Sequence, residues 1–163
     1  MQNIISQITT CVSNKQQQTS LLKFISDSEN AVKVPKIFVL YGKGCNGKST
    51  LINKLLAHFN NACIIIPKTT SYALSMLLQL SSHRKLVIIH GMEPNEKLAK
   101  TTVNSILRAK CFYTGPVCIN NTANYMLCIN ELDALQDLSD DMYEVITFDK
   151  IFNSPTEITN AKC

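Results

Sequence analysis

The stretch "VLYGKGCNGKST", residues 39–50, decides the fold, because a short apolar run leads directly into a glycine-rich, cationic loop. Gly42, Gly47, Lys48 and Ser49 satisfy the pattern G-x-x-x-x-G-K-[ST]. Glycines permit close backbone approach, and the backbone N–H groups of such a loop surround a concavity that binds phosphate oxygens. A helix that begins near Lys48 would add the positive end of its dipole. The stretch therefore predicts a buried strand, a phosphate-binding loop and a helix.

The loop is the predicted nucleotide site, with ATP and Mg²⁺ as the expected cofactors. Lys48 would reach the β- and γ-phosphates, and the Ser49 hydroxyl would ligate Mg²⁺. The alternative is a glycine-rich turn with an exposed lysine, and the flanking apolar strand and amphipathic helix argue against it. The predicted nucleotide-binding residues are Gly42, Lys43, Gly44, Cys45, Asn46, Gly47, Lys48, Ser49 and Thr50.

Strand-like and helix-like segments alternate after the loop. Short apolar runs at "ACIIIP", "RKLVIIHG", "NYMLCIN" and "YEVITF" indicate four more buried strands. Helical patterns occupy "KSTLINKLLAHFN", "SYALSMLLQLSS" and "NEKLAKTTVNSILRAK". This alternation predicts a three-layer α/β fold with a mostly parallel five-stranded sheet flanked by helices.

The segment before the loop has a helical pattern. Apolar residues at helical spacing between positions 3 and 28 predict two helices, joined by the polar run "SNKQQQ". The polar stretch "SDSENAVKVP" is expected to be a linker that ends at Pro35. We therefore predict an N-terminal helical segment over residues 1–32 and a phosphate-loop NTPase domain over residues 33–163.

Composition restricts the class of protein. The hydrophobic share of 45% is enough for a packed core, and the net charge of +4 permits an acidic partner without arguing for one. None of the seven cysteines forms a C-x-x-C pair, which favours reduced thiols in the cytoplasm or nucleus. A zinc site built from Cys111, Cys118 and Cys128 would lack metal-ligand spacing. No apolar run approaches the roughly 20 residues of a membrane span, so we expect no membrane association.

An acidic residue is expected near the end of a strand that neighbours the loop. In "RKLVIIHGMEP" the only carboxylate is Glu93. Its predicted role is to hold Mg²⁺ through water and to polarise the attacking water. The alternative is that Glu93 begins the next helix, where acids are favoured in the first turn.

Three segments together resemble the motifs of superfamily 3 helicases, particularly the primase–helicase NTPases of large DNA viruses and phages. They are "GKGCNGKSTL", "SSHRKLVIIHGMEP" and "YMLCINEL", and the resemblance covers about residues 36 to 152. It implies that Asn130 is a sensor that orients the attacking water or the γ-phosphate. The alternative is that Asn130 caps the turn before "ELDAL". The implied catalytic set is then Lys48, Glu93 and Asn130.

The resemblance also implies an assembly and a substrate. Members of the family form hexameric AAA+-type rings that hold ATP between subunits and grip single-stranded nucleic acid in a central pore. For this chain it implies a role in viral genome replication in the host cytoplasm or nucleus, with DNA favoured over RNA. Lys110 and Phe112 are the candidate nucleic-acid contacts, since a cation and an aromatic ring suit a single strand. The alternative is a solvated turn with core aromatics.

The sequence departs from the family pattern in two places. Met92 precedes Glu93 where paired acids usually stand, and no arginine follows Arg108. In such rings an arginine of one subunit, called an arginine finger, reaches into the ATP site of its neighbour. It typically raises the rate of hydrolysis about 10³–10⁵-fold. We therefore expect an ATPase with weak turnover, unless Lys150 or a partner supplies the charge.

Two other classes of protein stay open. A nucleoside or nucleotide kinase of the phosphate-loop type would suit the size, but no arginine-rich lid and no Asp-Arg motif after "ACIIIP" is visible. A non-catalytic, helicase-like module that assembles with an intact homologue would explain Met92 and the missing arginine.

Overall fold

The computed structural model describes residues 1–67, 83–90, 99–108, 111–114 and 117–152. The described strands, in chain order, are β1 (Ile37–Tyr41), β2 (Cys63–Pro67), β3 (Leu86–His90), β4 (Cys111–Thr114), β5 (Val117–Asn120), β6 (Asn124–Ile129) and β7 (Tyr143–Thr147). Five of them form one sheet in the order β2-β3-β6-β1-β7, and every neighbouring pair is parallel. All five strands predicted from apolar runs are confirmed as members of this sheet.

In the described part of the chain, four α-helices accompany the sheet: α1 (Gln2–Cys11), α2 (Lys15–Glu29), α3 (Lys48–Phe59) and α4 (Lys100–Arg108). Short 3₁₀ turns cover Asn60–Ala62, Leu132–Leu135 and Asp140–Met142. The predicted helix "SYALSMLLQLSS" lies outside the described residues. None of the described helices has the length and apolar character needed to cross a membrane.

The described helices cover both faces of the sheet, which confirms the predicted α/β class. Along β3, Leu86 and Ile88 belong to the apolar cluster that contains residues of α1, α2 and α3. Val87 and Ile89 belong to a second cluster, which contains residues of α4 and the 3₁₀ turns. Because side chains alternate along a strand, each central strand contributes to both clusters. This two-sided burial explains why the strands are apolar nearly throughout.

The strand order creates a crevice beside β1. After β1 the chain passes through α3 to β2, at the far edge of the sheet, and returns through β3 and β6 to β1. β7 then pairs with the opposite side of β1, where Tyr41 lies opposite Thr147. In open α/β sheets, ligands bind outside the carboxyl ends of the strands at the point where the order reverses. The loop at residues 42–47 occupies this point.

Two predicted boundaries in the N-terminal segment are wrong. The connection between the helices spans only residues 12–14, because Asn14 caps α2 by accepting hydrogen bonds from the backbone N–H groups of Gln16 and Gln17. At the other end α2 continues to Glu29, and Asp27, in the part predicted as linker, forms an ion pair of 2.7 Å with Lys23 of the same helix. The linker is therefore shorter, at residues 30–36.

Both N-terminal helices pack on the sheet rather than standing apart from it. Ile4 and Ile8 of α1 and Phe24 of α2 share one apolar cluster with α3 and with the face of β1 that carries Phe38. The rings of Phe24 and Phe38 stack with their centroids 4.1 Å apart. The division at residue 32 stays a prediction, although the core is continuous across it.

A β-hairpin lies between α4 and β6. β4 and β5 are antiparallel, with Cys111 opposite Asn120 and Thr114 opposite Val117. The sequence analysis assigned this stretch to a pore segment or a turn and did not identify the two strands. A two-residue connection that contains glycine, between short apolar runs, is a hairpin signal and could have identified them.

Candidate functional site

The loop between β1 and α3 has a backbone that requires glycine at its end. Gly47 has a φ of 86° and stands at the N-cap of α3. A Cβ atom at this position would lie 2.5 Å from the Cys11 sulfur and 2.8 Å from Gln7 Nε2. Helix α1 therefore packs directly against the loop and forms its back wall.

The start of the loop also has no space for a side chain. A Cβ at Gly42 would lie 2.1 Å from Asn46 Nδ2 and 2.6 Å from the Phe148 carbonyl oxygen. Asn46 is 3% exposed, and its Nδ2 donates to that carbonyl at 3.4 Å. Further along the segment that follows β7, the Phe152 N–H donates to the Cys45 carbonyl at 2.9 Å. The loop is thus held from a second side by residues 148–152.

Lys48 is buried, with only 5% of its surface exposed. Its Nζ donates to Asn46 Oδ1 at 3.2 Å, to Asn130 Oδ1 at 3.1 Å and, in closer contact, to the Gly42 carbonyl. An ammonium group has three donors, so these acceptors satisfy all of them. Burial lowers the pKa of Lys48, since desolvation disfavours its charged form. The hydrogen bonds hold this cation at the loop.

A cleft of about 280 Å³ opens in front of Lys48. Its lining is Gly44, Cys45, Asn46, Gly47, Lys48, Ser49, Thr50, His90, Cys128, Ile129 and Asn130. Burial raises the pKa of the Cys128 thiol to about 11, so that this group is neutral near pH 7. Within the described part of the chain, no carboxylate lines the cleft, which therefore favours an anion. Its volume lies just below the range of about 300–1,000 Å³ for ligand pockets, so it suits the polyphosphate part of a nucleotide.

The structure brings most of the predicted nucleotide-binding residues together. Ser49 is exposed and Thr50 is half-buried, and both line the cleft beside Lys48. Asn130, which follows β6, reaches the same cleft from the other side. Lys43 is exposed on the loop and is not part of the lining. The roles assigned to these residues stay predictions, but their proximity suits a common site.

Two predicted site residues, and the side chain of a third, lie outside the described part of the structure. Glu93 and Lys110 lie outside the described residues, so the proposed magnesium ligand and nucleic-acid contact stay predictions. Phe112 lies in β4, but its side chain is outside the described part of the structure. Arg108, the last arginine, is exposed at the end of α4.

The sequence analysis missed three residues around the cleft. His90, the last residue of β3, is exposed and lines it. Gln7 and Cys11 support the loop from α1, and Gln7 Nε2 donates to the Cys11 sulfur at 3.0 Å. His90 could have been identified as the last residue of an apolar strand, the usual place for a site residue in such sheets. Gln7 and Cys11 had no such signal.

Comparisons with known proteins identify the fold. No protein-family model matches this chain, and no curated protein matches its sequence. Two solved apo structures of the NrS-1 C-terminal region (305–718) are similar, with TM-scores of 0.71 and 0.73 at 12% identity. A third structure of that region, in its A form, has a TM-score of 0.72 at 14% identity.

The likeness extends over nearly the whole of this chain. It covers 98% of this chain in each case, but only 41–42% of the NrS-1 chains. This chain therefore spans about two fifths of the length of the structures it resembles. At this low identity the similarity concerns the fold, and it shows that the sheet, the N-terminal helices and the loop belong to one known architecture.

Proposed function

We propose that this chain is an ATP-binding phosphate-loop NTPase of the superfamily 3 helicase type, acting on single-stranded nucleic acid in viral genome replication. One observation carries the proposal: Lys48 Nζ lies 3.1 Å from Asn130 Oδ1, although the two residues are 82 positions apart. The first and third sequence motifs therefore meet at one cleft, as their proposed roles require.

The geometry of the cleft suggests a role for each group that lines it. The N–H groups of the loop and of the first turn of α3 would bind phosphate oxygens. Lys48 would exchange one of its present acceptors for a phosphate oxygen, which is favoured because hydrogen bonds between charged groups are stronger than those to neutral acceptors. The Asn130 amide would orient the attacking water or the terminal phosphate.

Magnesium fits the part of the site that the structure describes. Ser49 is exposed in the lining and has the hydroxyl group expected of a ligand in this type of loop. Glu93 is the acid that we propose holds Mg²⁺ through water and polarises the attacking water. When bound with the nucleotide, Mg²⁺ would neutralise phosphate charge that develops during transfer.

The wider proposal concerns assembly and substrate. We propose a hexameric ring with ATP between subunits, working in the host cytoplasm or nucleus. Single-stranded DNA would contact the region of the β4–β5 hairpin through Lys110 and Phe112. Because no arginine follows Arg108, ATP turnover should be slow unless Lys150 or a neighbouring chain supplies a cation.

The proposal is tested by calorimetric titration with Mg²⁺–ATP of the wild type, Lys48→Ala and Lys15→Ala. Lys15 is an exposed lysine at the start of α2 and serves as the matched control. We expect Lys48→Ala to weaken binding by about 100-fold or more, the cost of removing a buried charged partner. Lys15→Ala should bind like the wild type. Unaltered ATP affinity in folded Lys48→Ala would reject the proposed site.

A non-catalytic ATP-binding module is the second candidate. The described lining of the cleft has no carboxylate, and Met92 stands beside the single acid Glu93. ATP binding without turnover, even with single-stranded nucleic acid present, would favour this candidate. Transfer of phosphate from ATP to a nucleoside or nucleotide in a small panel would instead indicate a kinase.

A further inference from the structure

We propose that His90 contacts the terminal phosphate of a bound nucleoside triphosphate, from the wall of the cleft that β3 provides. The inference rests on the proposed function, since it names a further ligand-binding residue of the same site. It also assigns a role to the last residue of β3, which the sequence analysis passed over when it named Glu93 as the acid near the end of this strand.

The pairing of the strands brings His90 close to the other polar groups. β3 pairs with β6 so that Ile89 lies opposite Leu127, and the next residue on each strand is His90 and Cys128. Asn130 follows Cys128 by two positions. β6 in turn pairs with β1, which leads into the loop that holds Lys48. His90, Asn130 and the loop therefore stand side by side at the carboxyl ends of three adjacent strands.

The alternation of side chains places His90 on the same face of the sheet as the loop. Leu86 and Ile88 belong to the cluster on the side of α3, so His90, two residues further, projects toward that side. Cys128 belongs to the same cluster, and Asn130 follows it in the same way. The hydrogen bond between Asn130 and Lys48 agrees with this direction.

The chemistry of the position favours an anion. An imidazole ring always offers at least one N–H donor, and it carries a positive charge when protonated. Besides His90, the polar side chains of the described lining are one ammonium group, two amides, two hydroxyls and two thiols, and none is a carboxylate that would pair with the imidazole. A phosphate bound by Lys48 and Asn130 could accept a further hydrogen bond from the imidazole of His90. The terminal phosphate is the group expected there, because Lys48 reaches the β- and γ-phosphates in this type of loop.

The test compares His90→Ala with His83→Ala, titrated with ATP and with ADP. His83 is also exposed and precedes β3, but it does not line the cleft. We expect His90→Ala to weaken ATP binding about tenfold, the size of one hydrogen bond to a charged group, and ADP binding by less than about twofold. His83→Ala should change both affinities by less than about twofold.

Proton NMR gives a second readout in the wild-type protein. The chain has three histidines, so three imidazole C2–H signals can be assigned with the alanine variants. ATP should shift the His90 signal more than ADP does and leave the His83 signal in place. The inference alone would be overturned if the wild type binds ATP, its His90 signal does not move, and His90→Ala shows no selective loss of ATP affinity. Absence of ATP binding by the wild type would overturn the proposed function, and the inference with it.

Discussion

Lys33 is a residue whose burial should make stability depend on pH. Its Nζ donates to the Ala123 carbonyl and lies 4.7 Å from the centroid of the Tyr125 ring. Burial lowers the pKa of Lys33 from 10.5 to about 8. Between these values the unfolded chain binds more protons than the folded one, so the free energy of unfolding rises with pH. Below about pH 8 Lys33 is charged in both states and this dependence disappears.

The buried thiols oppose this effect at higher pH. Burial raises the pKa of Cys63 to about 12 and that of Cys128 to about 11, from 9.0. Above pH 9 the folded state therefore retains protons that the unfolded state releases, and the free energy of unfolding falls. The contribution of Lys33 is consequently clearest between about pH 8 and pH 9.

Lys33→Met isolates this contribution. We expect the free energy of unfolding of the wild type to increase, relative to that of Lys33→Met, as the pH rises from 8 to 10. The measurement is urea denaturation of both proteins at several pH values, with the thiols kept reduced. Parallel pH profiles for the two proteins would show that Lys33 does not titrate abnormally.

At the residue scale, sequence reasoning found residues that belong to a motif and missed those that do not. Lys48 was predicted from the glycine-rich motif and Asn130 from the resemblance to superfamily 3 helicases, and the structure brings them into contact. Gln7 was missed because it contacts the loop only when α1 packs against it, which the sequence does not show. Glutamine is also common on exposed helix faces. His90 was missed because the acid expected near the end of this strand was identified as Glu93.

Helix α1 and the loop at residues 42–47 form one packed unit. Cys11 and Gln7 occupy the space into which a side chain at Gly47 would project. Gln7 is fully buried, and its Oε1 accepts a hydrogen bond of 2.8 Å from Lys54 of α3. The conformation of the loop should therefore depend on α1 as well as on its own glycines.

A double-mutant cycle with Gly47→Ala and Cys11→Ala tests this dependence. Gly47→Ala should lower the free energy of unfolding by about 2 kcal/mol, because of its positive φ and the collision with Cys11. Removal of the sulfur should relieve the collision with Cys11 but not the contact with Gln7 Nε2 or the backbone strain. We expect a favourable coupling of about 1 kcal/mol between the two substitutions, measured by urea denaturation. Strictly additive effects would mean that α1 does not constrain the loop.

At the element scale, the apolar runs predicted the strands of the sheet correctly, but the polar segments did not predict where the helices begin and end. Every strand of the sheet was predicted, since a strand buried on both faces is apolar throughout. The start of α2 was placed too late because "KQQQ" is polar, although Asn14 is a good N-cap residue. The β4–β5 hairpin was missed because its two strands have only four residues each.

For the whole molecule, the order of the strands was beyond sequence analysis. The runs "CIIIP", "LVIIH" and "YMLCI" are equally apolar, so nothing in them tells which will pair with β1. In the structure, β6 and β7 flank β1, and the carboxyl ends of β1, β3 and β6 meet at the cleft. The order of the strands therefore determines how the site is assembled. The motifs could predict only that their residues would lie close together.

We also predict slow catalysis for the whole molecule. No arginine stands between Arg108 and Cys163, so an arginine that stabilises the transition state would have to come from elsewhere in the protein or from a partner. Without such an arginine the rate would be about 10³–10⁵ lower. The absence of this arginine should not weaken ATP binding, because the buried Lys48 and the N–H groups of the loop belong to this chain. Tight binding with low turnover is the expected combination.

The most direct test is ATP turnover with and without single-stranded DNA, combined with a measurement of particle mass in ATP. We predict an ATP-dependent oligomer whose slow turnover increases when single-stranded DNA is added, and Lys48→Ala should lack the turnover. A monomer that hydrolyses no ATP with or without DNA would contradict the helicase-type function.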